Sequence, residues 1–292
     1  MGKLSRSWSL VSSSWQVLRH DKELLALPAI SAVVAAICVA PFFGAAFLAT
    51  PAPAPASGPE ESVGFTPATY VLMFIGYLVG SYVTIFFQSA LIHAANERLS
   101  GGSPTLGSAL AGAYARAGHI LPWALLSATV SVVLRAVQER TGILGRLVIG
   151  LVGMAWTLVT FLVLPILVIE GTGVKDALSR SAAAFKRTWG ENVVGNAGIG
   201  LVGGLAMVVG MLVCAPIIVV GAQNDLIVVT VTGVALALIW VILVSVGSAA
   251  LSGVFQTALY RYAVLGEASD GFSADQIHGA FRPKGSRRSV RG

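Results

Sequence analysis

Two glutamines, Gln88 and Gln256, lie near the ends of long apolar runs, with Ser89 and Thr257 directly after them. An amide left unpartnered in hydrocarbon is costly, so each side chain must face another helix or the other glutamine. Two kinds of chemistry are open to such a pair. The amides can bond across helices, a join worth about 0.6 to 2 kcal/mol. Alternatively, they line an inward-facing polar pocket, with His93 and Glu170 near its mouth. Sites of the second kind occur at the interfaces between transporter repeats.

Other chemistry finds few components. No Asp, Glu, Lys or His falls in the middle of an apolar run, so a proton relay or intramembrane ion site lacks its usual groups. His20, His93, His119 and His278 all sit at run boundaries. Without closer grouping or acidic and cysteine partners they read as interfacial residues, and no metal site is expected. Cys38 and Cys214 lie inside apolar runs and read as small hydrophobes. The glycines from Gly198 to Gly204 lie within a run and read as close helix packing rather than a phosphate cradle. No spacing of serine, histidine and acid indicates a triad. The chain is therefore expected to be non-enzymatic, with no catalytic residue and no cofactor.

The elements that position these residues follow from composition. Hydrophobic residues make up 55% of the 292-residue chain and charged residues 11%, with a mean hydropathy of +0.81. Soluble domains carry about 25% charged residues. The expected architecture is an all-α integral membrane protein, a single polytopic domain over residues 1–292. Six spans are expected at about 24–48, 69–95, 119–137, 147–169, 193–221 and 226–262. The first is too long for a signal-peptide core and is expected to be retained. The Pro51 to Pro59 tract after it is expected to be extended, and with Glu60 and Glu61 to face outward. Gly76 and Gly80, and again Gly200 and Gly204, stand four apart, a spacing that admits a neighbouring helix. Arg135 is expected to snorkel, and Pro165 to kink the fourth span.

Between the spans the periodicity becomes amphipathic. A surface helix is expected over 3–20, with Leu4, Trp8, Val11, Trp15 and Leu18 on one stripe. Trp and Arg on opposing faces suit the headgroup region, although a helix packed on protein would carry the same stripe. A second is expected at about 104–118, opened by Ser103 and Pro104, with Leu106, Leu110, Tyr114 and Ala117 on one face. A third, at about 174–190, sets Val174, Leu178, Ser181, Ala182, Phe185 and Trp189 against Lys175, Arg180, Lys186 and Arg187. The last, 273–282, opens with a capping box of Ser273 and Gln276.

The pattern repeats. Phe87-Gln88-Ser89-Ala90-Leu91 returns as Phe255-Gln256-Thr257-Ala258-Leu259. Ala113-Tyr114-Ala115-Arg116 returns as Ala184-Phe185-Lys186-Arg187, and in part as Ala280-Phe281-Arg282. The expected unit is one surface helix followed by a span pair, used three times. With both termini cytoplasmic, sixteen of the 19 Lys and Arg residues fall inside, leaving Arg135, Arg140 and Arg146 outside. That asymmetry follows the positive-inside rule. It places the surface helices on the cytoplasmic side, where anionic lipid would attract them at about 1 kcal/mol per basic residue. The net charge of +6 is thereby assigned to the membrane rather than to nucleic acid.

The opening, with Arg6, Ser7, Trp8, Ser14, Trp15, Val17, Leu18 and the run Asp21-Lys22-Glu23-Leu24-Leu25 leading to Pro28, resembles an uncharacterised family of six-span prokaryotic membrane proteins, domain-of-unknown-function family 6159. The resemblance extends over the whole chain and is most specific in the first thirty residues. It implies a prokaryotic cell membrane and brings no activity and no site residues. The leading expectation is a scaffold or accessory membrane protein, with a protein partner or a second copy of itself. The alternative is a transporter or lipid-handling protein with a polar pocket between repeats.

Overall fold

The structure is a computed structural model that describes residues 22–50, 66–187 and 189–265. The surface helices expected at 3–20 and 273–282, the Pro51 to Pro59 tract, His20 and His278 lie outside the described residues. Those described residues form helices and their connecting turns: α1 (Lys22–Leu48), α2 (Pro67–Leu99), α3 (Leu106–Ala115), α4 (Ala117–Arg140) and α5 (Ile143–Thr160), then the short α6 (Val163–Pro165), which runs into a π-helical turn (Ile166–Glu170). After these come α7 (Val174–Arg187), α8 (Trp189–Gln223) and α9 (Ile227–Tyr260), which ends in a second π-helical turn (Arg261–Leu265). Among the described residues six stretches are long and apolar enough to cross a bilayer: Leu24–Leu48, Pro67–Leu99, Ala117–Arg140, Ile143–Glu170, Gly200–Gln223 and Ile227–Leu265.

Packing is concentrated at one end of the bundle. Most of the buried side chains on these spans come from the start of α1, the end of α2, the start of α4, α6 with its π turn, and the end of α9, with Ala46, Thr69 and Cys214 buried elsewhere. One cluster joins Trp123, Leu162 to Leu164, Ile166, Phe255 and Tyr260; the other joins Leu24, Leu27, Phe87, Leu91 and Val254. Trp123 of α4 stacks on Trp156 of α5, with ring centroids 6.3 Å apart. Towards the other end α1 stays paired with α2, and α8 with α9, while large apolar residues such as Phe47, Leu144, Leu212 and Val228 are exposed. Lipid tails solvate such side chains as well as protein does, so their exposure carries no hydrophobic penalty there.

Small residues mark the contacts. At Gly76 and Gly80 an added Cβ would stand 2.9 Å from Phe42 and from Val39 of α1, so this glycine pair does admit a neighbouring helix. At Gly200 and Gly204, by contrast, no described residue stands within 4 Å of an added Cβ. The contact face of α8 runs instead through Gly203, Gly210 and Gly221, which meet Ser248, Trp240 and Thr230 of α9. Spacings of seven and eleven residues keep these three on one side of the helix.

The two helices expected at about 104–118 and 174–190 also pack through small residues. On α3 the buried positions are Ala109 and Ala113, with Leu106 and Leu110 partly buried beside them, while Tyr114 is 78% exposed. The face is thus rotated from the expected one, and Tyr114 points away from the protein. The helix also begins later than Ser103 and Pro104 imply. Thr105 is the cap, accepting from the Ser108 amide at 3.0 Å while the Ser108 hydroxyl accepts from the Thr105 amide at 3.0 Å, and this reciprocal pair fixes the start. On α7, Ala177, Ser181 and Ala184 are buried, and Val174, Leu178 and Phe185 flank them half-buried.

Candidate functional site: the glutamine junction

The junction begins at a break. Proline has no N–H, so Pro165 leaves the carbonyl four residues before it, that of Phe161, without its helical donor. α5 stops at Thr160 and the helix resumes only at Val163. Two side chains from other elements repair the gap. The Gln256 amide donates through Nε2 to the Phe161 carbonyl. The Ser181 hydroxyl of α7 accepts from the Leu162 amide at 3.2 Å and donates to the Val159 carbonyl at 2.5 Å. Exposed backbone at membrane depth is tolerated only when it is satisfied in this way.

Gln256 is held in turn by Gln88, whose Nε2 donates to its Oε1 at 3.4 Å. The two glutamines therefore meet, and what they serve is a backbone carbonyl on a third span. Ser89 and Thr257 do not join them. Both are fully buried, and each donates to its own helix, Ser89 to the Ile85 carbonyl at 2.7 Å and Thr257 to the Gly253 carbonyl at 2.8 Å. The His93 ring lies over Gly112 of α3, where a Cβ would come within 2.4 Å of it. Glu170 accepts from the Tyr260 hydroxyl at 2.8 Å and pairs with Arg180 of α7. A further join lies beyond, where Arg261 donates to Asn96 Oδ1 at 3.1 Å and to Ser100 Oγ at 2.6 Å. Of the expected pocket residues, then, only the two glutamines come together.

The residues that sequence reasoning missed are the Phe161 carbonyl, Tyr260 and the partnering roles of Ser181 and Arg180. One signal was available, because Pro165 identifies Phe161 as the carbonyl without a donor.

Gln88 has a second surface. Its side chain lines a cavity of about 330 Å³ between α1, α2 and α9, together with Ser31, Thr84, Ser245 and Ser252; Gln256 does not reach it. A wider, more open groove of about 500 Å³ between α1, α2 and α4 contains Thr84, Ser127 and Ser131. These three hydroxyls bond their own helices, at 2.8, 3.2 and 2.8 Å. Among the described residues no group of three or more His, Cys, Asp or Glu side chains could hold a metal ion.

Six apolar helices among the described residues, three of them tied together by polar contacts at one end, make this a multi-pass helical membrane protein. Residues 67–272 match the family of unknown function DUF6159, and the chain belongs to that family. The match starts after the first thirty residues, where the resemblance is most specific, and rests on the body of the bundle instead. No curated protein and no solved structure matches the chain.

Proposed function

We propose that this chain is a non-enzymatic scaffold or accessory protein of the prokaryotic cell membrane, acting through surface helices on its cytoplasmic side. The observation that carries the reading is how the polar groups of the packed end are used. Gln256, Ser181, Glu170, Tyr260 and Arg261 all bond from one element to another, and such contacts hold a platform in shape. The Lys and Arg asymmetry supports cytoplasmic termini. The burial of Ala113 in α3 and of Ala184 in α7, at matched places in the recurring segment, supports the threefold repeat. On this reading α7 is docked by Ala177, Ser181 and Ala184 and turns Lys175 outward to anionic lipid, and its exposed side is offered to a protein partner or a second copy.

Photo-crosslinking from Lys175, Ser179 and Ala183, which are exposed on α7, tests this in native membranes. One discrete protein adduct from these positions, whether a second copy or another protein, is expected. Adducts to lipid alone from all three would overturn the scaffold reading.

A second reading, a transporter or lipid-handling protein, is favoured by one observation. Gln88 faces a cavity as well as its partner amide.

A further inference from the structure

We infer that the cavity between α1, α2 and α9 binds an uncharged, hydroxyl-bearing ligand through Ser31, Ser252 and the carbonyl oxygen of Gln88. This rests on the second reading above, in which the spans hold a ligand.

On this wall the Ser31 and Ser252 hydroxyls are left open, whereas Thr84, which the cavity shares with the neighbouring groove, and Ser127 and Ser131 of that groove are bonded. Ser31 is only 8% exposed, and its hydroxyl has no hydrogen-bond partner among the described residues. The same is true of the Ser252 hydroxyl on the facing helix. Serines in apolar helices usually return their hydroxyl to a carbonyl one turn back, as Ser89 and Ser131 do here. The Gln88 amide gives one N–H to Gln256, and its oxygen remains to accept. Two hydroxyls and one carbonyl, brought by three helices to one cavity, form a set that hydroxyl groups satisfy in both directions.

The rest of the wall sets the ligand's charge and size. Pro28, Phe87, Leu91, Val246 and Ala249 are apolar, and no Asp, Glu, Lys, Arg or His lines the cavity. A charged group brought there would lose its hydration with no counter-ion in return. A volume of about 330 Å³ corresponds to about eleven water volumes, enough for a glycerol-sized head with part of an acyl chain. A neutral lipid head and a free polyol share this chemistry.

The test uses the full-length protein in glycerol-free detergent, with equilibrium binding of labelled dioleoylglycerol, glycerol and dioleoylphosphatidylglycerol. Saturable binding of dioleoylglycerol identifies a neutral lipid as the source, and saturable binding of glycerol identifies a free polyol. In either case Ser31→Ala and Ser252→Ala should each weaken binding about tenfold, the loss of one hydrogen bond. Ser127→Ala, in the other groove, should leave it unchanged. Unaltered binding in both Ser31→Ala and Ser252→Ala, with thermal midpoints matching the parent, would overturn the inference. Binding of the anionic lipid alone would overturn it while leaving the second reading standing. No saturable binding of any probe would sink both.

Discussion

The two ends of this bundle are built from the same helices and held by different means. At one end α2, α6 and α9 finish among buried Leu, Phe and Ala side chains, and amides, a carboxylate and a guanidinium tie them together. At the other end the helices run as pairs with their large side chains exposed. There α8 and α9 are joined by the Trp240 indole, which donates to the Ala206 carbonyl at 2.9 Å. In a bilayer, apolar area gains little by turning from lipid to protein. Cohesion therefore depends on close packing and on polar groups with no other partner; glycine packing runs along the helix pairs, while most cross-element polar groups are placed at one end. Substitutions at the packed end should be costly, and those at the open end mild.

The largest effect is expected at Gly171, which closes the fourth span with φ +69°. A side chain there is strained by the left-handed backbone, and its Cβ would stand 2.3 Å from the Arg116 guanidinium. Gly171→Val should cost about 2 kcal/mol or more, visible as a lowered thermal midpoint in detergent. A midpoint equal to the parent's would show that the packed end does not govern stability.

Next comes the junction itself. Gln256→Leu strands the Phe161 carbonyl and should cost about 1 to 3 kcal/mol. Pro165→Ala gives the helix back an N–H at position 165, which can reach that carbonyl. In a double-mutant cycle the cost of Gln256→Leu should therefore shrink by about 1 kcal/mol or more in the Pro165→Ala background. Additive effects would mean that the glutamine does not serve the proline gap.

The same contrast explains what could be read from the sequence. The six spans and the glutamine pair were legible because long apolar runs and a repeated Phe-Gln-Ser/Thr-Ala-Leu element survive in plain form. The third member of the junction was disguised, because the fourth span contributes a backbone carbonyl rather than an amide side chain. The face of α3 was misjudged for a related reason. Periodicity weights large residues, yet Ala109 and Ala113 make its buried contacts and Tyr114 does not. Gly200 and Gly204 fail in the same way, since in so apolar a chain glycine spacing alone does not tell a contact face from a lipid face. Glu170 belonged to another join because its partners are Tyr260, from an element distant in sequence, and Arg180 of the helix that follows it.

Two smaller effects separate the ends further. Tyr260→Phe removes the hydroxyl that Glu170 accepts from at the packed end and leaves Arg180 as the carboxylate's partner. It should cost about 1 kcal/mol, read as a drop in thermal midpoint that Glu170→Gln does not add to in full. At the open end Gly210→Ala places a methyl 1.9 Å from the Trp240 ring, so the indole must move. Trp240 is already 38% exposed and can swing toward lipid, where only the bond to Ala206 is lost. The expected cost is less than about 1 kcal/mol, with the Trp240 indole N–H resonance shifted in protein labelled at tryptophan. A cost as large as that of Gln256→Leu would mean that the α8–α9 pair carries stability of its own, and the division between the two ends would fail. A shifted resonance with a near-parental midpoint is what the division requires, because it separates a contact that is made from a contact that holds the fold.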